Sequence, residues 1–235
     1  MDKATFFAEL RKRGSGIFGT SLTQDQVSGI ESLLDAGARL PMHHMANVLA
    51  QVYHETGGRM APVRETFANS DAQAIARLDV AWAKGQLTWV RTPYWRDGWF
   101  GRGQIQLTHQ ANYAKFGITN PGDAMRLDVS ARVAVEGMRD GKFTGRKLAD
   151  YNFPLALSNP SSSNPRRIVN GKDGTDAKVA GYHRAFAFAL TVAGYEASAP
   201  PWRPDVEPVD TPPATPDWLT SLIAAIVAFF KGSRK

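Results

Sequence analysis

Apolar side chains recur along most of this chain at the three- and four-residue spacing of a helix. In residues 21–37, SLTQDQVSGIESLLDAG, the positions Val27, Ile30, Leu33 and Leu34 share one face and Gly37 supplies a stop. Residues 40–58, LPMHHMANVLAQVYHETGG, repeat the pattern through Met42, Met45, Val48, Leu49, Val52 and Tyr53, closed by Gly57 and Gly58. Ser70 has the side chain of an N-cap for DAQAIARLDVAWAKG, which ends at Gly85. SARVAVEGMRDG (130–141) and TDAKVAGYHRAFAFALTVAG (175–194) predict two further helices. The segment 86–107, richer in Trp, Val, Tyr and Phe, predicts a small β-hairpin. The expected fold class is all-α, mainly helical with that one hairpin.

One stretch departs from the helical period. In GRGQIQLTHQANY (101–113), Ile105 and Leu107 alternate with Gln104, Gln106 and Thr108, followed by His109, Gln110 and Asn112. Such a segment is pinned by its apolar side chains and presents amides and a hydroxyl on the opposite face.

Composition divides the chain. Residues 197–217 hold seven of its fourteen prolines, which forbids helix and ladder and predicts an extended linker. Residues 218–230 are almost unbroken in apolar character and are followed by Lys231, Arg234 and Lys235. As a helix those thirteen residues rise roughly 20 Å, short of the ~30 Å hydrocarbon core of a bilayer. With Trp218 at their start and cations after, they predict an amphipathic helix at a membrane surface. The expected organisation is a domain over 1–196, a linker over 197–217 and a membrane-interacting tail over 218–235.

Hydrophobic residues at 43% and charged ones at 21% suit a packed domain. The absence of cysteine excludes disulfides and thiolate chemistry. The first residues carry charge throughout and contain no apolar run of signal-peptide length, so the expected location is cytoplasmic. The net charge of +6 belongs wholly to residues 1–196, because the linker and tail carry four cations and four anions. A cationic domain favours an anionic partner, and with no run of basic residues or nucleic-acid motif the expected partner is not nucleic acid.

Two carboxylates suggest chemistry. Glu55 lies in the last turn of its helix, and Glu65 follows past GGRMAPVR, where Pro62 interrupts helix. Two carboxyl groups joined by a glycine-bearing turn can face each other, as glycosidic hydrolysis requires: one protonates the leaving oxygen, the other activates water or attacks the sugar. Amides and hydroxyls of 101–113 suit sugar hydroxyls, and Tyr94, Trp95, Trp99 and Phe100 offer rings for stacking. His43, His44 and His54 beside Glu55 lack the H-E-x-x-H spacing, so neither a metal nor another cofactor is expected.

HETGG closing a helix, a downstream glutamate, GRGQIQLTHQANY and RRIVNGKDG, in this order over about residues 20–190, resemble the family 19 glycoside hydrolases. That family includes chitinases and lysozyme-like endolysins of bacteriophages. QVSGIESLLDA, PVRETFANSDAQAIARLD and DGKFTGRKLADY look specifically like the endolysins. The resemblance implies a two-lobed lysozyme-like domain with a cleft and an inverting reaction. Glu55 would be the general acid and Glu65 the general base, with Thr108 helping to hold the attacking water. Gln106, Asn112 and Asn170 match residues that hydrogen-bond substrate, while Trp99 and His54 stand beside them. Arg102 would brace its loop. The segment after Val169-Asn170-Gly171 lacks the Glu and Arg with which chitinases support the acid, and Ala111 stands where they often carry a tyrosine. The function so implied is a muramidase endolysin acting on peptidoglycan for host lysis. It would reach the wall through a holin or through its own membrane-binding tail. A chitinase on the same scaffold and an inactive wall-binding module with a membrane anchor are the alternatives.

Overall fold

The computed structural model describes residues 1–197; the expectations for the linker and the tail lie outside those residues. Among the described residues there are seven α-helices: α1 (Lys3–Leu10), α2 (Gln24–Ala36), α3 (Met42–Glu55), α4 (Asp71–Ala83), α5 (Gln110–Ala114), α6 (Leu127–Asp140) and α7 (Asp176–Val192). Short 3-10 turns fill much of the rest, and none of these helices is long and apolar enough to cross a membrane. The protein is mainly α.

The Ser70 cap read from the sequence forms, and α2 and α6 have terminal signals of their own. Thr23 Oγ1 accepts from the Gln26 amide while Gln26 Oε1 accepts from the Thr23 amide, a closed box that starts α2. Ser70 accepts from Gln73 N to start α4, and Gly141 ends α6 with a left-handed φ of 73°.

The hairpin expected within 86–107 is reduced to a single antiparallel bridge between Arg102 and Leu107. The two strands are β1 (Val63–Arg64) and β2 (Arg102–Gly103), antiparallel, with Val63 opposite Gly103 and Arg64 opposite Arg102. Only the second strand comes from the expected segment, whose aromatic residues serve packing instead: Trp95 and Phe100 are fully buried with Leu87 and Val90 against α4.

The main core is built by α1, α2, α3, α6 and α7. It is centred on side chains such as Phe6, Ile30, Leu33, Leu49, Met138 and Phe186, with α3 running along α7 and α2 against α6. A separate cluster gathers Leu107, Tyr113, Phe116, Ile118, Ala124 and Val133. Glu55 ends a helix of the main core, whereas Glu65 follows a strand beside the α4 cluster.

Gln104 ties these parts together. Its side-chain amide donates to the carbonyls of Gly29 on α2 and Met60, and its backbone N–H donates to Ser130 Oγ on α6 at 2.7 Å. This close approach requires the glycine: a Cβ at position 29 would stand 2.4 Å from Met60 O. Because that neighbour is backbone, Gly29→Ala is expected to destabilise the fold by about 1–3 kcal/mol, as a drop in the midpoint of denaturant unfolding would show.

Candidate active site

A polar stripe runs down α3. Asn47, Gln51 and Glu55 recur every four residues, hence on one face, and all three are buried. The turn Pro165–Ile168 lies against this stripe. Arg166 there is fully buried, with Nη1 donating to Gln51 Oε1 at 2.8 Å and Nη2 paired with Glu55 Oε1 at 2.7 Å. Nε and Nη2 of Arg166 also donate to Asp173 Oδ2, at 2.9 and 2.7 Å. Asp173 Oδ1 in turn accepts from the backbone N–H and hydroxyl of Thr175, at 3.0 and 2.7 Å.

This arrangement leaves Glu55 unusual. It is 2% exposed, and its Oε2 accepts no hydrogen bond. Burial raises its pKa; the Arg166 charge works against that shift, and the nearby Asp173 charge adds to it. Asp173 goes the other way: although burial pushes it up, Arg166 and Thr175 together bring it down to about 2. Arg166 is thus held chiefly by a committed anion, and Glu55 keeps a carboxyl inclined to retain its proton.

Glu65 is surrounded differently. Its backbone N–H donates to Gly101 O at 2.6 Å, and Gly101 N–H donates back to Oε2 at 2.7 Å. The Tyr94 hydroxyl donates to Oε1 at 2.7 Å. Burial raises the Glu65 pKa as well, but donors on both oxygens and the Arg102 charge oppose it. The two residues after it, Thr66 and Phe67, have left-handed φ of 62° and 53°, and Arg77 Nη1 pins the turn by donating to Thr66 O at 2.9 Å. Gln106 and His109, on the opposite segment, are also left-handed at 53° and 68°. Four non-glycine residues in this rare conformation around one carboxylate mark a backbone held against its preference, the kind of strain found at functional sites.

Gly101 is where the segments converge. A Cβ there would lie 2.9 Å from Gln106 Oε1, 3.3 Å from Thr108 Oγ1 and 3.4 Å from Glu65 Cβ. The turn after Glu55 meets the turn after Glu65 at Gly57, whose Cβ would touch the Phe67 ring at 3.3 Å. The guanidinium of Arg59 lies 4.3 Å from the centroid of that same ring.

The other expected site residues fall into two groups. Thr108 is 8% exposed and its hydroxyl donates to Gln106 O at 2.9 Å, which leaves the oxygen's lone pairs to accept from a water. Gln106 Nε2 donates to Val63 O at 2.8 Å and to Gly103 O at 3.2 Å, and Asn112 Nδ2 donates to Thr108 O at 2.9 Å. The amide nitrogens expected to face sugar therefore brace the loop. Asn170 has both ends of its amide engaged: Nδ2 donates to Asp173 and Oδ1 accepts from Gly171 N. It supports the Arg166–Asp173 pair and is itself buried. His54 lies half-buried beside Tyr182, with ring centroids 6.5 Å apart. Trp99 packs its edge on Tyr113 at 5.1 Å and stays half-buried. Of the four aromatic residues, Trp95 and Phe100 are core rather than platform, and Tyr94 serves Glu65. Arg102 does brace its loop: it donates to Gly98 O at 2.7 Å and to Asp71 at 2.8 Å, and lies 3.6 Å over the Phe100 ring.

The histidines belong to the far end of the same stripe. His43 Nδ1 lies 3.2 Å from His183 Nε2, and Asn47 Nδ2 lies 3.4 Å from His183 Nδ1. Burial and the neighbouring His43 and Arg184 bring His183 down to about 3, so it is neutral at ordinary pH. Among the described residues no group of three or more histidine, cysteine or acidic side chains is placed to hold a metal ion.

Sequence reasoning missed the support of Glu55. It looked after Asn170 for a glutamate and an arginine, whereas the arginine precedes it at 166 and the anion is Asp173. The four-residue recurrence of Asn47, Gln51 and Glu55, opposite an apolar stripe on the same helix, was the available signal.

No protein-family model matches the chain, and neither a curated protein nor a solved structure matches it.

Proposed function

We propose that this protein is a glycoside hydrolase that cleaves β-1,4 bonds of bacterial peptidoglycan by an inverting mechanism, in the manner of a phage endolysin. The observation that carries the reading is the unequal treatment of two buried carboxyl groups. Glu55 is desolvated with one oxygen unpartnered, and Glu65 receives a donor on each oxygen. Burial raises both, but the donors on both oxygens of Glu65 favour its charged form and the unpartnered Glu55 Oε2 favours a neutral one, a difference suited to base and acid roles. In this mechanism Glu55 protonates the glycosidic oxygen as it leaves, and Glu65 takes a proton from the water that attacks the opposite face of the sugar. Thr108, converging with Glu65 on Gly101, accepts a hydrogen bond from that water and orients it. The two-lobed cleft of the reading would lie between the main core, which carries Glu55, and the α4 cluster beside Glu65. The cationic domain supports an anionic wall polymer over neutral chitin. Residues 218–235 are assigned to the bacterial membrane surface and a holin to the route of export.

The test is mass spectrometry of borohydride-reduced fragments released from purified peptidoglycan. Reduced muramic acid ends establish a muramidase, and reduced glucosamine ends move the bond. No release, together with cleavage of chitin, would replace the reading with a chitinase. Thr108→Val is expected to lower kcat about tenfold or more with little change in KM, since it removes an interaction made with the attacking water rather than with bound sugar. Steady-state kinetics on soluble glycan fragments would show this, and a rise in KM alone would make Thr108 a substrate contact instead.

A further inference from the structure

A cavity of about 480 Å³ opens beside Glu65 but contains neither carboxylate. One wall is the segment that carries Glu65, with Val63 before it and Phe67 after it; Ala61 and Met125 add further apolar surface. Charges of both signs line it: Arg59, exposed and lying over the Phe67 ring, and Asp25, exposed in the first turn of α2. Arg64, paired with Asp71 at 2.6 Å, borders it too. A site with apolar surface and side chains of both charges suits a short zwitterionic peptide with small side chains, and it has the size of an ordinary ligand pocket, about 300–1,000 Å³. Neutral sugar chains present no ion for either charge.

We propose that this cavity binds the peptide stem carried by the muramic acid residues of peptidoglycan, with Arg59 receiving a stem carboxylate and Asp25 the amino group of its diamino acid. The inference rests on the peptidoglycan reading and deepens it. A sugar at Glu65 holds its lactyl-linked peptide next to the wall that the cavity shares with Glu65, so the cavity selects glycan by what hangs from it. Chitin, lacking the peptide, would leave it empty.

The experiment titrates the full-length protein, labelled at its methionine methyl groups, with the free tetrapeptide L-alanyl-γ-D-glutamyl-meso-diaminopimelyl-D-alanine, read by NMR at Met125. The same titration uses the fully amidated peptide and a chitin tetrasaccharide, and is repeated on Arg59→Ala. The Met125 signal, assigned through Met125→Leu, should shift with the acidic peptide and stay fixed with the chitin fragment. Amidation and Arg59→Ala should each weaken binding about tenfold or more, as expected for loss of a charge-assisted hydrogen bond. An unchanged Met60 signal in Arg59→Ala would show that the fold is intact. No shift with the acidic peptide, or binding indifferent to both amidation and Arg59→Ala, would overturn the inference. Because the titration needs no turnover, its failure differs from failure of the hydrolase reading, which the reduced-end assay reports.

Discussion

Replacing Glu55 by glutamine is expected to abolish release of reduced-end fragments from peptidoglycan, lowering turnover by about a thousandfold or more, while the protein stays folded. Glutamine keeps the shape and cannot give up a proton. Arg166 would still hold Asp173 at 2.7 Å and Gln51 at 2.8 Å, so no cation is stranded. Removing a desolvated carboxyl from this position relieves a burial cost, so the thermal midpoint should stay within a few degrees of wild type. The pH profile supplies a second readout. Burial raises Glu55, so the wild-type rate should hold until the pH climbs through that raised value and then fall as the acid loses its proton. Burial raises Glu65 as well, so on the acid side the rate should fall above the usual carboxylate range, as Glu65 gains a proton and ceases to act as a base. Glu65→Gln should remove the acid limb along with most of the activity. Full activity in Glu55→Gln would end the assignment.

How far this site was legible in the sequence follows from which contacts are local. Helices α2, α3, α4, α6 and α7 could be read because each sets its apolar residues at helical spacing, and α4 opens on the expected Ser70 cap. Helix α1 was missed: KATFFAEL is eight residues long, too short for a periodic signal. The strands were misread because each is two residues long and their partners, Val63 and Gly103, are brought together only by the tertiary fold. An aromatic-rich stretch looked like a hairpin, but those rings are the core under α4. Both carboxylates could be named from their motifs, but their surroundings could not. Gln51 and Arg166 meet across 115 residues, and the pairing of Tyr94 with Glu65 spans 29. Gln104 is the opposite case. Its place among polar neighbours suggested an outward amide, yet the approach of Gly29 to Met60 draws it fully inside.

Under the proposed mechanism Arg166 is where stability and catalysis meet, and Arg166→Met is expected to have the largest effect on stability. The side chain is fully buried and pairs with both Glu55 and Asp173, so methionine would leave both carboxyl groups without their buried cation. Breaking a buried pair by removing one partner costs about 3–5 kcal/mol, to be read from the shift in denaturant midpoint. The loss should depend on pH in a defined sense. Asp173 falls from 3.8 to about 2 on folding, so its contribution is present above pH 3.8 and disappears as pH falls toward 2. The variant should therefore differ most from wild type near neutrality and least in strong acid. Catalysis gives an independent reading. The Arg166 charge favours the carboxylate form of Glu55, so in the fraction still folded the alkaline limb of the rate should move to higher pH. Arg166→Lys retains the charge but not the fork that reaches Gln51, Glu55 and Asp173 together, so it should lose stability with a much smaller shift of that limb. An alkaline limb in the same place for wild type and Arg166→Met would mean that a group other than Glu55 supplies the proton.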